Sequence, residues 1–177
     1  TYNEMRCANI IRTVNPNQTL GEDRARKIIH GLADTIGRMA VNPNQRTSFF
    51  VDNSDYLDVA YRLTKGCFSN NELIRLPDFL LTGGREIAHA LAEGLDLSGD
   101  PVKLAGVSDG VARDIQTLLI GIGMPVMRHG RVMWLDAAAY NDFSSLKDDV
   151  LRTVPEFETG GWDRHSLRTV VYGFDHN

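Results

Sequence analysis

Between Thr19 and Gly37 the apolar residues Ala25, Ile28, Ile29, Leu32, Ala33 and Ile36 recur at the spacing of one helical face. Thr19 as N-cap with Glu22 three residues on completes a capping box, and Asp23 adds negative charge at the positive helix end. The next stretch, "RMAV-NPNQ-RTSFFV" from Arg38 to Val51, reads as two strands around an Asn-Pro turn. "SDYLDVAYRLTKG" predicts a second helix, capped by Ser54 and stopped at Gly66. A loop follows, and "LPDFLL" leads through "TGG" into a third helix, "REIAHALAEGLDL". "VKLAGV" is a short strand, "SDGVARDIQTLLIGIG" a fourth helix, and "PVMR-HG-RVMWL" a hairpin with glycine in its turn. "AAAYNDFSSLKDDVLRTV" is helical again, and the tail reads as loop followed by strand. Residues 1–18 form a leader in which Ile10, Ile11 and Val14 suggest a strand.

Laid out this way, the chain repeats itself. "HGLADTIG" and "EGLDLSGD" carry matching Gly-Leu pairs, at Gly31 and Gly94. After each come strand residues and a helix that opens with Ser-Asp, at Ser54-Asp55 and at Ser108-Asp109. Asp58-Val59 precedes Leu63 much as Asp114-Ile115 precedes Leu119. One unit of helix, strands and helix occurring twice predicts a pseudo-twofold pair of helices whose backbones meet at Gly31 and Gly94, because close approach needs positions without a Cβ. Unrelated amphipathic helices produce some of the same likeness.

Composition narrows the class of protein. The 177 residues suit one domain, or two small ones sharing a core, with 42% hydrophobic and 24% charged residues. No apolar run approaches the ~20 residues needed to span a bilayer. "TYNEMRCANIIRTV" lacks a basic-then-apolar signal pattern. Cys7 and Cys67 make no CxxC pair and point to a reducing, cytoplasmic setting. The formal net charge of -4 weighs against a nucleic-acid partner unless a local basic face exists.

"GLADTIG" resembles the motif of the LAGLIDADG homing endonucleases, and "LPDFLL…REIAHALAEGLDLSGDPV" is similar to the approach to their second motif. "SDGVARDIQTLLIGIGMPV" resembles the helix that follows in intein-associated members, so the likeness covers roughly residues 19 to 135. The resemblance implies an α+β fold of two pseudo-symmetric αββαββα-like halves, a saddle whose sheet lies on double-stranded DNA. It also implies a metal-binding acid before the last glycine of each motif.

The chain departs from that pattern at the acids. Ile36 precedes Gly37; the second motif places Gly99 at the catalytic position, or Ser98 if Gly99 is taken as the final glycine. Neither binds Mg²⁺. Asp34 matches the earlier acid of the motif, about 200° round the helix from the catalytic one. A shifted register drawing on Asp34, Asp96 and Asp100 with Mg²⁺ is the competing implication, a site-specific DNA endonuclease. The second half is also abbreviated, since "GDPVKLAGV" has room for one strand where the family has two. The basic residues left for DNA are Arg38 and Arg46 on the first hairpin, Lys103, and Arg128, His129 and Arg131 on the last. The histidines show no HxxxH or HxH spacing for zinc. "RTVVYGFDHN" resembles the downstream end of an intein.

The resulting division is a leader at 1–18, a two-repeat LAGLIDADG-like domain at 19–138, and at 139–177 a helix and strand extension or intein-like remnant. The expected function is a degenerate homing-endonuclease-like domain without catalytic residues. It binds DNA or another protein, such as a host into which it is inserted as a mobile element.

Overall fold

The computed structural model describes residues 1–44 and 54–136, the first two of the second stretch by backbone alone. One compact unit runs Thr1–Leu135; the other, Asp136–Asn177, lies beyond Asp136 outside the described residues, with the helix and tail strand expected there. The described unit is mixed α+β, dominated by helices. None of its helices is long and apolar enough to cross a membrane.

The leader is helical. Helix α1 (Tyr2–Val14) buries Cys7, Ala8 and Ile11, and the Glu4 amide donates to the Thr1 hydroxyl at 3.4 Å. A strand at Ile10–Val14 is therefore corrected: three buried positions at helical spacing outweigh a short run of β-branched residues. Helix α1 packs on α2 (Glu22–Val41) and α3 (Ser54–Thr64).

Helix α2 differs from the predicted segment at both ends. Its N-cap is Gly21, in an extended conformation, so the Thr19–Glu22 capping box does not form; Glu22 and Asp23 instead sit in the first turn, where they favour the positive helix end. At the other end Arg38–Val41 is helical, not strand, and Asn42 is the C-cap. Met39 and Ala40 extend the buried stripe of Leu32, Ala33 and Ile36, and that packing overrides the strand propensity read from "RMAV". The expected hairpin from residue 45 onward and the Ser54 cap fall outside the described side chains.

A hairpin appears where the sequence reading had a loop. Strands β1 (Phe68–Ser69) and β2 (Glu72–Leu73) pair antiparallel across Asn70 and Asn71, which hold φ of 48° and 65°. Asparagine tolerates the left-handed region better than most residues, as a two-residue turn of this hand requires. Leu73 also joins the segment at residues 106–108, with its amide 2.8 Å from the Gly106 carbonyl and its carbonyl 3.0 Å from the Ser108 amide.

Helix α4 (Asp78–Thr82) forms within "LPDFLL", where no helix was expected, and α5 (Arg85–Leu95) follows in the predicted order. So does a single short strand β3 (Val102–Lys103), then α6 (Asp109–Gly121), β4 (Val126–His129) and β5 (Val132–Leu135). Ser108 caps α6, its hydroxyl accepting from the Val111 amide at 3.2 Å. The sheet order is β3-β5-β4, antiparallel throughout, with Val102 and Arg128 both opposite Met133. Gly130, at φ 58°, opens the β4–β5 turn. A single apolar core joins α1, α2, α3, α5, α6 and one side of this sheet.

Candidate functional site

The centre of the unit is the α2–α5 pair, its most extensive helix contact. A Cβ built on Gly94 would stand 2.0 Å from the Asp34 carbonyl oxygen and 3.1 Å from the Arg38 nitrogen. On Gly37 it would stand 2.3 Å from the Leu91 carbonyl oxygen and 2.9 Å from the Leu95 nitrogen. The contact is reciprocal: each glycine lies on the carbonyl three residues before the other and beside the amide one residue after it. Such backbone approach excludes any side chain and lets Cα–H groups face carbonyl oxygens. Gly94 thus stands at a close helix contact, and the glycine facing it is Gly37, further along α2 than Gly31. Gly31 is half-buried, its carbonyl accepting from the Thr35 hydroxyl at 2.7 Å.

The C-terminal ends of these helices gather polar groups. The Arg38 Nε donates to Asp34 Oδ2 at 2.8 Å, while Asp34 Oδ1 lies 3.5 Å from Nη2. The hydrogen bond that Arg38 donates to Asp34 raises the Arg38 pKa, reinforced by the charges of Asp34 and, more weakly, Asp96. Asp96 itself caps α5 in the left-handed region, at φ 52°, and accepts from the Ser98 hydroxyl at 2.8 Å. Asp100 is exposed beyond them.

Ile36, before the contact glycine of α2, is 1% exposed and belongs to the core. The residue in the same relation to Gly94 is Glu93, which is exposed. Alignment by the two Gly-Leu pairs hides this acid; the "EG" at 93–94 is the signal that reveals it once Gly37 is the reference. Glu93, His89, Asp96 and Ser98 line one side of a cleft of about 360 Å³ whose other wall is Met124 and Leu135. Among the described residues no three His, Cys, Asp or Glu side chains stand close enough to share a metal ion.

The expected basic surface is redistributed. Arg38 is on α2, not on a hairpin, and Arg46 lies outside the described residues. Side chains alternate across strands, so the register puts Lys103, Met127, His129, Val132 and Trp134 on the outer side of the β3–β5–β4 sheet. Arg128 is on the inner side. Only 16% exposed, it binds Gln116 Oε1 at 3.2 Å, Asp109 Oδ1 at 3.3 Å and the Gly130 carbonyl. Arg131 reaches Glu72 Oε1 and the Val107 carbonyl, both at 3.3 Å. Arg128 therefore does not share the outer face with Lys103 and His129; Arg131 is tied to Glu72 at the turn, and Arg38 pairs with Asp34 on α2 and stays largely exposed. Met127, 49% exposed, and half-buried Trp134 are the outward residues that a count of charges overlooks; the alternation in "VMRH" and "VMWL" marks them.

Set against known protein families, curated proteins and solved structures, the chain matches none.

Proposed function

We propose that this chain is a LAGLIDADG-like domain of two related halves, kept as a binding module and without cleavage chemistry. The reciprocal Gly37–Gly94 contact carries the proposal, because a two-fold relation between helices requires each to offer the other the same backbone groups. The flanking helices α3 and α6 support it, with Val59 and Ile115 both fully buried at corresponding places after their Asp neighbours. Loss of cutting follows from Ile36 in the core and from Asp34 held by Arg38, since a metal that activates water needs several oxygens free to displace its own.

The partner that fits the sheet is a protein. Its outer side presents Met127, Val132 and Trp134 with Lys103 and the His129 imidazole, while Arg128 is on the inner side and Arg131 is bound to Glu72. A mixed apolar and aromatic patch suits a protein interface better than a phosphate backbone. The likeness of the tail "RTVVYGFDHN" to an intein end makes a host protein the natural candidate.

A gel-shift and nicking assay on random-sequence duplex, with Mg²⁺ or Mn²⁺, tests this reading. No shift at low salt and no nicking is the expected result. A shift without nicking, weakening with salt by about 0.9 log units per phosphate contact per tenfold, replaces the protein partner by DNA. Nicking that Asp34→Asn abolishes makes the Mg²⁺-dependent endonuclease the right reading.

A further inference from the structure

On the helical side of the unit, away from any use made of it above, a cleft of about 460 Å³ opens between α1, the end of α3 and α4. Four cations line it, Arg6, Arg62, Lys65 and Arg75, against the single lining carboxylate of Asp78. In a chain of net charge -4 this is a local reversal of sign. Its floor is apolar, with buried Phe79 and Cys67 and the half-buried Leu63.

Three of the four cations are braced. Arg62 gives Nε to both carboxylate oxygens of Asp58, at 3.0 and 3.1 Å, and Nη1 to the Val14 carbonyl at 3.3 Å. Arg6 gives Nη1 to the Gly83 carbonyl and Nη2 to the Tyr2 hydroxyl, both at 2.9 Å, with its guanidinium 4.9 Å from the centre of the Tyr2 ring. Arg75 gives Nη2 to Asp78 at 2.9 Å. A guanidinium has five donors, so these bonds fix its direction and leave donors over for a ligand. Arg62 is paired with Asp58 and Arg75 with Asp78, so the surplus positive charge is that of Arg6 and Lys65, and the apolar floor strengthens its field in the opening. An anion entering the cleft balances that surplus, and an aromatic or apolar body attached to it covers the floor at Phe79 and Leu63.

We propose that this cleft is a binding site for a small anionic ligand, a phosphate or carboxylate borne on an aromatic or apolar body. A cleft of this volume, lined by residues of three helices, suits a molecule the size of a metabolite rather than a polymer.

The test uses the full chain, its amide NMR spectrum, and four probes: phenyl phosphate, phenylacetate, inorganic phosphate and phenol. Phenyl phosphate or phenylacetate shifts the amides of Arg6, Arg62, Lys65 and Arg75, and whichever binds more tightly identifies the anion. Phenol and inorganic phosphate bind at least about tenfold more weakly, the loss expected when a charge-assisted contact or the apolar floor is unused. Lys65→Gln with Arg75→Gln weakens the anionic probe by about tenfold or more and leaves phenol unchanged, a contrast that partial unfolding does not produce. Equal binding of phenol and phenyl phosphate, no effect of the paired substitution in a chain with unchanged circular dichroism, or no site-localised shift with any probe overturns the proposal.

Discussion

The α2–α5 contact makes a sharp statement about one methyl group. In Gly94→Ala the new Cβ meets the Asp34 carbonyl oxygen at 2.0 Å, and that atom is helix backbone that no rotamer change moves aside. A carbon facing a carbonyl oxygen rests at about 3.3–3.6 Å, so the helices must part by roughly 1.3 Å at their crossing. Separation loosens the packing of Leu91 and Leu95 against Ile36 and its neighbours, and overpacking of this kind costs about 1–3 kcal/mol. Alanine recovers part of that, because it is better than glycine inside a helix by roughly 0.8–1.0 kcal/mol. The net expectation is destabilisation, by up to about 2 kcal/mol. Gly121→Ala is the control: it closes α6 with open space around it, and gains about 0.4–1 kcal/mol. The same substitution then has opposite signs at two helical glycines. Urea unfolding measures both, read as midpoint shifts at unchanged slope. The double variant with Gly37→Ala costs less than the sum of its parts, because helices already forced apart accept the second methyl more easily. If Gly94→Ala matches or exceeds the stability of the parent chain, the close contact is wrong, and with it the support for a two-fold pair.

Acid weakens the α1–α2 junction. His30 Nε2 lies 2.9 Å from Asn3 Nδ2, and burial first, then the charge of Arg26, lowers its pKa. A lowered folded-state value means that the unfolded chain takes up the proton first. The contribution of His30 is therefore complete above about pH 6.5 and falls away as the pH drops through the folded value. Urea midpoints between pH 7.5 and 5 check this, with His30→Gln expected to flatten that part of the profile. In the β1–β2 turn, Asn71→Ala costs about 1–2 kcal/mol for its left-handed backbone while Asn71→Gly is close to neutral, as thermal or urea unfolding of the pair will show.

What could be read from the sequence followed from periodicity and punctuation. The α2 stripe, α6 with its Ser108 cap, the single strand of "VKLAGV" and the β4–β5 hairpin all announce themselves through local signals that packing did not contradict. The errors fall where a local signal was weak or where tertiary packing overrode it. Helix α1 has only three core residues, Cys7, Ala8 and Ile11, and is held by its packing on α2 and α3, which its own short apolar stripe does not announce. Arg38–Val41 continues α2 because Met39 and Ala40 find a surface to bury against, including Gly106, whose amide bonds the Ala40 carbonyl at 2.8 Å. The β1–β2 hairpin was marked by Asn-Asn, a turn signal less familiar than Asn-Gly. At the site, basic residues could be counted from the sequence but not oriented. Whether Arg128 meets a partner or braces Gln116 depends on which side of a strand it occupies, hence on a register set by Met133 in the core.

That dependence on orientation decides what rebuilding a catalytic acid would do. The proposed LAGLIDADG-like reading would place an acid at position 36, yet Ile36 is 1% exposed among the core residues of α2. In Ile36→Asp a carboxylate replaces buried hydrocarbon without any cation within the described core, and such a group is destabilising by several kcal/mol. Burial raises its pKa, so it folds best when protonated. The variant therefore gains stability as the pH falls from 7 toward 5, opposite in sign to the His30 effect of the parent chain. Mg²⁺ at millimolar concentration is expected to restore nothing, because Glu93 is on the exposed side of α5 and Asp34 is already paired with Arg38. Thermal unfolding with and without Mg²⁺ separates the two possibilities. A bound ion would stabilise in proportion to the logarithm of its concentration, by about 2.7 kcal/mol at a hundredfold excess over the dissociation constant. A stabilisation of that kind in Ile36→Asp, lost again on Glu93→Gln, would show that positions 36 and 93 converge on one metal. The chain would then be one substitution away from a cleaving enzyme, rather than a binding module whose core has absorbed the catalytic position.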